Sequence, residues 1–167
     1  ESAYTLSGDS PSAWVAAAKK HSDKSLFKLK FMGDGEDEAR LRGVRKVRSD
    51  VGLIVDANEA WDEAMYLSML SCLVDCGVGL IEQPFASGDD FRLKNLPRPI
   101  SVCADESCLV GGDLERLVGL YDVVNIKLDK SGGLTHGLEM KVRALGLGFG
   151  IMVGCMVASS LAMAPAC

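Results

Sequence analysis

Residues 53–58 read Leu-Ile-Val-Asp-Ala-Asn, an apolar run closed by an acid. A strand that is apolar on both alternations has both faces buried, the condition of a parallel sheet covered by helices. Residues 123–128, Val-Val-Asn-Ile-Lys-Leu, have the same character. Working outward, short apolar segments at 3–6, 26–31, 52–56, 79–82, 100–104, 123–127 and 149–153 alternate with helix-length segments at 11–20, 36–48, 62–76, 89–96, 113–120 and 134–145. Loops rich in Gly, Asp or Pro separate them, and the whole is a βα series of seven strands. Ser10 before Pro11 supplies an N-cap and a first-turn proline, while Gly77 and Gly146 stand where left-handed C-caps belong.

Seven βα units fit either an open doubly wound sheet or a (β/α)₈ barrel. The charged residues separate the two. Lys28 and Lys30, Asp56, Glu82, Asp105 and Lys127 each sit at the C-terminal end of a strand, and from Lys30 onward the steps are 26, 26, 23 and 22 residues. In a parallel barrel such strand ends share one rim, where active sites of that fold are built. An open sheet would spread them along a line. The expectation is therefore an α/β chain, residues 1–167 forming a partial (β/α)₈ barrel catalytic domain. A complete barrel takes about 250 residues. The sequence opens on Glu1 rather than Met and stops at Cys167 in an Ala-rich apolar stretch, so it reads as a fragment without strand 8.

A single Asp at a strand end is most simply a helix cap or a loop carboxylate. Three acids in register, Asp56, Glu82 and Asp105, would repel one another and raise their own pKa values unless a cation compensates. Hard oxygen ligands suit Mg²⁺. Lys28 and Lys30 alternate with Phe27, Leu29 and Phe31, which puts both lysines on one face. Strands 2 and 6 oppose each other in an eight-stranded ring, so Lys30 and Lys127 would flank the acids.

The chain is 48% hydrophobic and 25% charged with a net charge of -5, a globular composition that argues against general nucleic-acid binding. No apolar run is long enough to cross a bilayer. A small-molecule partner is expected, with neither nucleic acid nor membrane. The six cysteines, Cys72, Cys76, Cys103, Cys108, Cys155 and Cys167, lack zinc-site spacing and read as reduced core thiols, which fits a reducing cytoplasm. His21 and His136 read as surface or satisfied helix histidines. Arg40, Arg42, Arg45, Lys46 and Arg48, beside Glu36, Asp37 and Glu38, read as a solvated outer helix face. Met65, Met69 and Leu73 read as core packing.

The motifs Phe-Lys-Leu-Lys-Phe at 27–31, Ile-Val-Asp-Ala-Asn-Glu-Ala-Trp at 54–61, Leu-Ile-Glu-Gln-Pro-Phe at 80–85, Ala-Asp-Glu-Ser at 104–107 and Asn-Ile-Lys-Leu-Asp-Lys-Ser-Gly-Gly at 125–133 resemble the enolase superfamily, in its muconate lactonizing branch. The resemblance implies a (β/α)₈ barrel with a separate capping domain, and Mg²⁺-assisted removal of a proton α to a carboxylate through an enediolate. It implies Asp56, Glu82 and Asp105 as metal ligands, and Lys30 and Lys127 as bases on opposite substrate faces. Lys28 would steady the substrate carboxylate, Asn58 and Glu106 would support the metal, and Asp129 and Lys130 would line the substrate rim. Opposed lysines make a racemase or epimerase. The stretch 153–166 is similar to dipeptide epimerases, so the implied substrate is a dipeptide. The same residues could serve a cycloisomerase or an o-succinylbenzoate synthase-type dehydration, and a truncated barrel could be inactive. The resemblance also leaves room for a homo-oligomer of the full-length protein.

Overall fold

In the computed structural model, which describes residues 2–167, the chain divides into two compact units. The first comprises residues 2–86 with Arg98–Ile100. Its strands β1 (Tyr4–Leu6), β2 (Leu26–Lys30), β3 (Gly52–Asp56) and β4 (Leu80–Glu82) are parallel and pair in chain order. Between them lie α1 (Pro11–Lys20), α2 (Asp37–Val47) and α3 (Glu63–Asp75). One sheet face carries Phe27, Leu29, Leu53, Val55 and Ile81, each at most 1% exposed. Alternation puts Lys28, Lys30, Asp56 and Glu82 on the other face. The register is Lys30 opposite Asp56 and Asp56 opposite Glu82, so three charged residues share one layer.

Helix ends follow local chemistry. The Ser10 hydroxyl accepts from the Ala13 amide at 3.3 Å, with Pro11 in the first turn, as the sequence predicts. Asp62 caps α3 through the Met65 amide at 2.8 Å. Gly77 has φ +62°, and the Val78 amide reaches back to the Leu73 carbonyl at 3.0 Å, closing α3 as a left-handed C-cap.

The basic run on α2 is not the solvated face expected of it. Arg40 and Arg48 are only 2% and 7% exposed. Arg40 forks onto both oxygens of Asp34 at 2.6 and 2.7 Å, donates to Asp37 at 3.0 Å and stacks on Trp14. Arg45 donates to the carbonyls of Cys76, Arg48, Ser49 and Val51 at 2.7–3.2 Å. Arg48 donates to those of His21 at 3.0 Å and Lys24 at 2.7 Å. Helix C-termini present orphan carbonyls, and a guanidinium can serve several at once. Only Arg42 and Lys46 remain exposed as expected.

The second unit comprises Ser87–Pro97 and Ser101–Cys167. Its strands β5 (Ser101–Ala104), β6 (Val123–Lys127) and β7 (Gly150–Gly154) are also parallel in chain order. The helix predicted over 89–96 is a five-residue 3₁₀ segment, Asp90–Lys94. Pro97 disfavours a helical Leu96, and the Asp90 side chain is committed elsewhere. The helix predicted over 113–120 shrinks to α4 (Leu114–Leu117), because Val118 turns extended before Gly119 at φ +79°. Two short helices, α5 (Leu128–Ser131) and α7 (Ser160–Met163), flank the long α6 (Leu134–Gly146). Gly146 belongs to α6, and the left-handed residue is Gly148, so the predicted C-cap moves by two positions.

Cys72, Cys76, Cys103 and Cys108 are buried free thiols, and burial pushes Cys72 up to about 12 and Cys108 up to about 11. Cys155 and Cys167 are exposed, contrary to the core reading. His21 stacks on Tyr4 at 4.1 Å. Met69 and Leu73 are buried. Among the described residues no helix is long and apolar enough to cross a membrane.

Candidate functional site

In the first unit, four of the predicted residues converge at the ends of β2, β3 and β4. Lys28 Nζ lies 2.9 Å from Asp56 Oδ2 and 2.6 Å from Glu82 Oε2. Lys30 Nζ lies 3.1 Å from Asp56 Oδ2 and donates to Asn58 Oδ1 at 2.9 Å. Asp56 and Glu82 are completely buried, whereas the Lys30 side chain is 39% exposed and so can meet a ligand. Burial pulls the Lys28 ammonium down, but the Glu82 and then the Asp56 carboxylate more than reverse this, and its pKa is raised. Lys28 is therefore a fixed positive charge.

The backbone past the strands keeps these groups in place. The ladder continues through Phe31 N to Asp56 O at 2.9 Å, Ala57 N to Glu82 O at 3.0 Å and Glu59 N to Gln83 O at 2.9 Å. It requires Asn58, Glu59 and Gln83 at φ +44°, +66° and +36°, a left-handed region that side chains other than glycine rarely adopt. Asn58 gains from it: its amide donates to Asp56 Oδ1 at 3.1 Å while its side chain holds Lys30. Asn58, expected as a support near the metal, thus lies against Lys30 and Asp56.

The second unit carries the other predicted groups. Lys127 Nζ lies 2.5 Å from Asp105 Oδ2, and Lys130 Nζ lies 2.6 Å from both Asp105 Oδ1 and the Asp105 carbonyl oxygen. Burial alone would raise the Asp105 carboxyl, but hydrogen bonds from Lys127 and then Lys130 overcome this and lower it. Gly154, in register with Lys127, makes room for that side chain: a Cβ there would stand 2.6 Å from Asn125 Oδ1 and 3.1 Å from Lys127 Cε. Glu106 is half-buried, and exposed Asp129 accepts from the Met156 amide at 3.3 Å. Lys130, expected at the substrate rim, is a direct partner of Asp105.

Among the described residues no group of three or more His, Cys, Asp or Glu is assembled for a metal. Each acid is matched by ammonium groups instead. The donor chemistry still fits a hard cation: the pair Asp56 and Glu82 offers only carboxylate oxygens, fully buried, and already holds one cation, the Lys28 ammonium, between them. The residues that sequence reasoning missed are buried Asp90, Ser107 and Tyr121 with exposed Arg116, a polar cluster next to the Asp105 loop. Only the paired acids of Gly-Asp-Asp at 88–90 hinted at it, and those read as a helix start.

Parallel βα units with acids and lysines at successive strand ends follow the layout of a (β/α)₈ barrel, whose sites sit at that rim. The chain belongs to the enolase C-terminal domain-like family, whose model matches residues 13–167. It is 46% identical over 165 residues to the N-acetyl-D-glutamate racemase of a Pseudoalteromonas species, covering 98% of this chain and 52% of that protein. It is 39% identical to the L-Ala-D/L-Glu epimerase of Escherichia coli K12, covering 96% and 48%. Among solved structures, an Agrobacterium tumefaciens enolase family member with homology to dipeptide epimerases, holding sodium and L-Ala-L-Glu, matches with TM-score 0.92 and 42% identity over 99% of this chain and 50% of its own. The dipeptide epimerase of Methylococcus capsulatus, complexed with Mg and L-Arg-D-Lys, matches with TM-score 0.92 and 30% identity over 99% and 49%. The fold is thus an incomplete (β/α)₈ barrel of the enolase superfamily, and the open-sheet alternative falls. The chain spans about half the length of the curated relatives it matches.

Proposed function

We propose that the protein containing this chain is a Mg²⁺-dependent epimerase or racemase that inverts the Cα of an N-acylated amino acid carboxylate, with residues 1–167 as part of its catalytic barrel. The observation that carries the reading is the Lys28, Lys30, Asp56 and Glu82 cluster, where buried carboxylates already hold a cation beside a half-exposed lysine. The relatives narrow the substrate. N-acetyl-D-glutamate and L-Ala-D/L-Glu both contain a glutamate whose nitrogen is acylated and whose Cα carries the proton α to a free carboxylate. Free glutamate, with an ammonium there, is a different ligand.

In this reading Asp56, Glu82 and Asp105 hold Mg²⁺, which when bound supplies a Lewis-acid sink for charge developing on the substrate carboxylate. Lys28, kept charged by its two carboxylate partners, steadies that carboxylate. Lys30, oriented by Asn58 Oδ1, removes the α-proton from one face and Lys127 returns one to the other. Lys130 and Asp105 keep the Lys127 ammonium in place, Glu106 supports the ligand loop, and Asp129 anchors the Met156 backbone at the rim. The buried free thiols support a cytoplasmic location.

The test is α-proton exchange. The complete gene product, incubated in D₂O with Mg²⁺ and L-Ala-L-Glu, N-acetyl-L-glutamate or free L-glutamate, is expected to deuterate the first two and spare the third. Lys30→Ala and Lys127→Ala should each abolish inversion while each retains exchange from a single enantiomer, opposite in the two variants. No exchange on any acylated substrate would defeat the proposal. A dehydrated or cyclised product without exchange would move it to the lyase and cycloisomerase alternative.

A further inference from the structure

Asp90 lies on the 3₁₀ segment between β4 and β5 and has no part in the chemistry proposed above, yet it is only 4% exposed. Its Oδ1 accepts the hydroxyl of Ser107 at 2.6 Å and that of Tyr121 at 2.6 Å. Its Oδ2 accepts from Arg116 Nη1 at 3.1 Å. Arg116 also donates through Nη2 to the Ser107 carbonyl. Ser107, fully buried, is therefore gripped at both ends, its hydroxyl by Asp90 and its carbonyl by the arginine that Asp90 neutralises.

Ser107 is two residues beyond Asp105. The Cys108 amide donates to the Asp105 carbonyl at 3.1 Å, so residues 105–108 form one tight turn, and Lys130 fixes that same carbonyl. Clamping Ser107 leaves the turn little freedom to rotate. Bonds to an ionised acceptor are shorter and stronger than those between neutral groups, so a carboxylate at position 90 holds the turn better than an amide or hydroxyl could. Groups that orient a ligand from behind govern metal affinity, commonly by 10–100-fold. We infer that Asp90 is a positioning residue for the loop after β5, setting through Ser107 the direction in which Asp105 presents its carboxylate to a divalent cation. The inference rests on the reading of Asp105 as a metal ligand.

Three variants of the complete gene product separate positioning from plain support. Ser107→Ala cuts the tether to the turn but leaves Tyr121 on Asp90. Tyr121→Phe removes the other Oδ1 bond but leaves the tether. Asp90→Ala removes both. Calorimetric titration with Mg²⁺, alongside melting in chelator, is expected to show Ser107→Ala and Asp90→Ala binding roughly 10–100-fold more weakly. Tyr121→Phe should stay within about twofold despite a comparable drop in melting temperature. Should Asp90→Ala not fold, Ser107→Ala decides alone. Unchanged affinity in folded Ser107→Ala, or an equal loss in Tyr121→Phe, overturns the inference. A wild-type protein that takes up no Mg²⁺ removes the metal reading and this inference with it, whereas wild-type uptake matched by Ser107→Ala removes this inference alone.

Discussion

Replacing Lys28 by methionine is the sharpest test of how the buried acids are held. The Lys28 side chain is 13% exposed, and its ammonium sits within 2.9 Å of two carboxylates with no exposure at all. Methionine keeps most of the side-chain volume and removes the charge, leaving Asp56 and Glu82 side by side in register without their shared cation. Breaking a buried ion pair by deleting one partner costs about 3–5 kcal/mol, because the remaining charge stays desolvated. For a domain of this size about 1 kcal/mol moves the melting temperature by roughly 2–4 °C, so the loss in chelator should be about 6–20 °C. On the proposed function Mg²⁺ would bind the folded state and neutralise the same pair, so it should restore the variant by more degrees than it adds to the wild type. Thermal melts of both proteins in chelator and in millimolar Mg²⁺ give the four values needed. A loss of the same size with and without Mg²⁺ would refute the idea that lysine and metal compete to neutralise one carboxylate pair.

Other outcomes follow from single contacts. Hydrogen bonding to Arg40 lowers the Asp34 carboxyl from 3.8 to about 2, so its contribution is complete above pH 3.8 and disappears as pH falls through about 2. Asp34→Asn should flatten the acid limb of a circular dichroism titration between those values. Gly154→Ala drives a methyl into Asn125 and Lys127, and should cost about 1–3 kcal/mol in urea unfolding while slowing proton transfer at the Lys127 face more than at the Lys30 face in enantiomer-resolved exchange. Arg45→Ala strips four carbonyls of their donor and should cost about 2–3 kcal/mol by chemical denaturation, with Mg²⁺ affinity unchanged.

The strands and their terminal charges were legible because both are local signals: a two-residue alternation and one charge at each end. Asp56, Glu82, Lys28 and Lys30 could be placed together from spacing alone, since parallel register carries strand ends to a common layer. Asp90 could not, because its partners lie 17 to 31 residues away in segments with no periodic signature. The short helices failed for a different reason. Residues 89–96 and 113–120 have helical length and composition, but Pro97 and Gly119 end them early. The arginines of α2 misled because charge was taken as a mark of solvent exposure. A guanidinium's five donors also let it fill the carbonyl-rich gaps at helix ends, and counting unsatisfied carbonyls would have shown the need.

The three left-handed side-chain residues, Asn58, Glu59 and Gln83, bear on engineering as well as on chemistry. A stability screen that scores backbone comfort would put glycine at each and register a gain, since the strain would vanish. At position 58 that gain removes the oxygen that aims Lys30. Residues chosen for what they hold rather than for where they are comfortable are those that thermostabilised variants of this barrel should leave untouched.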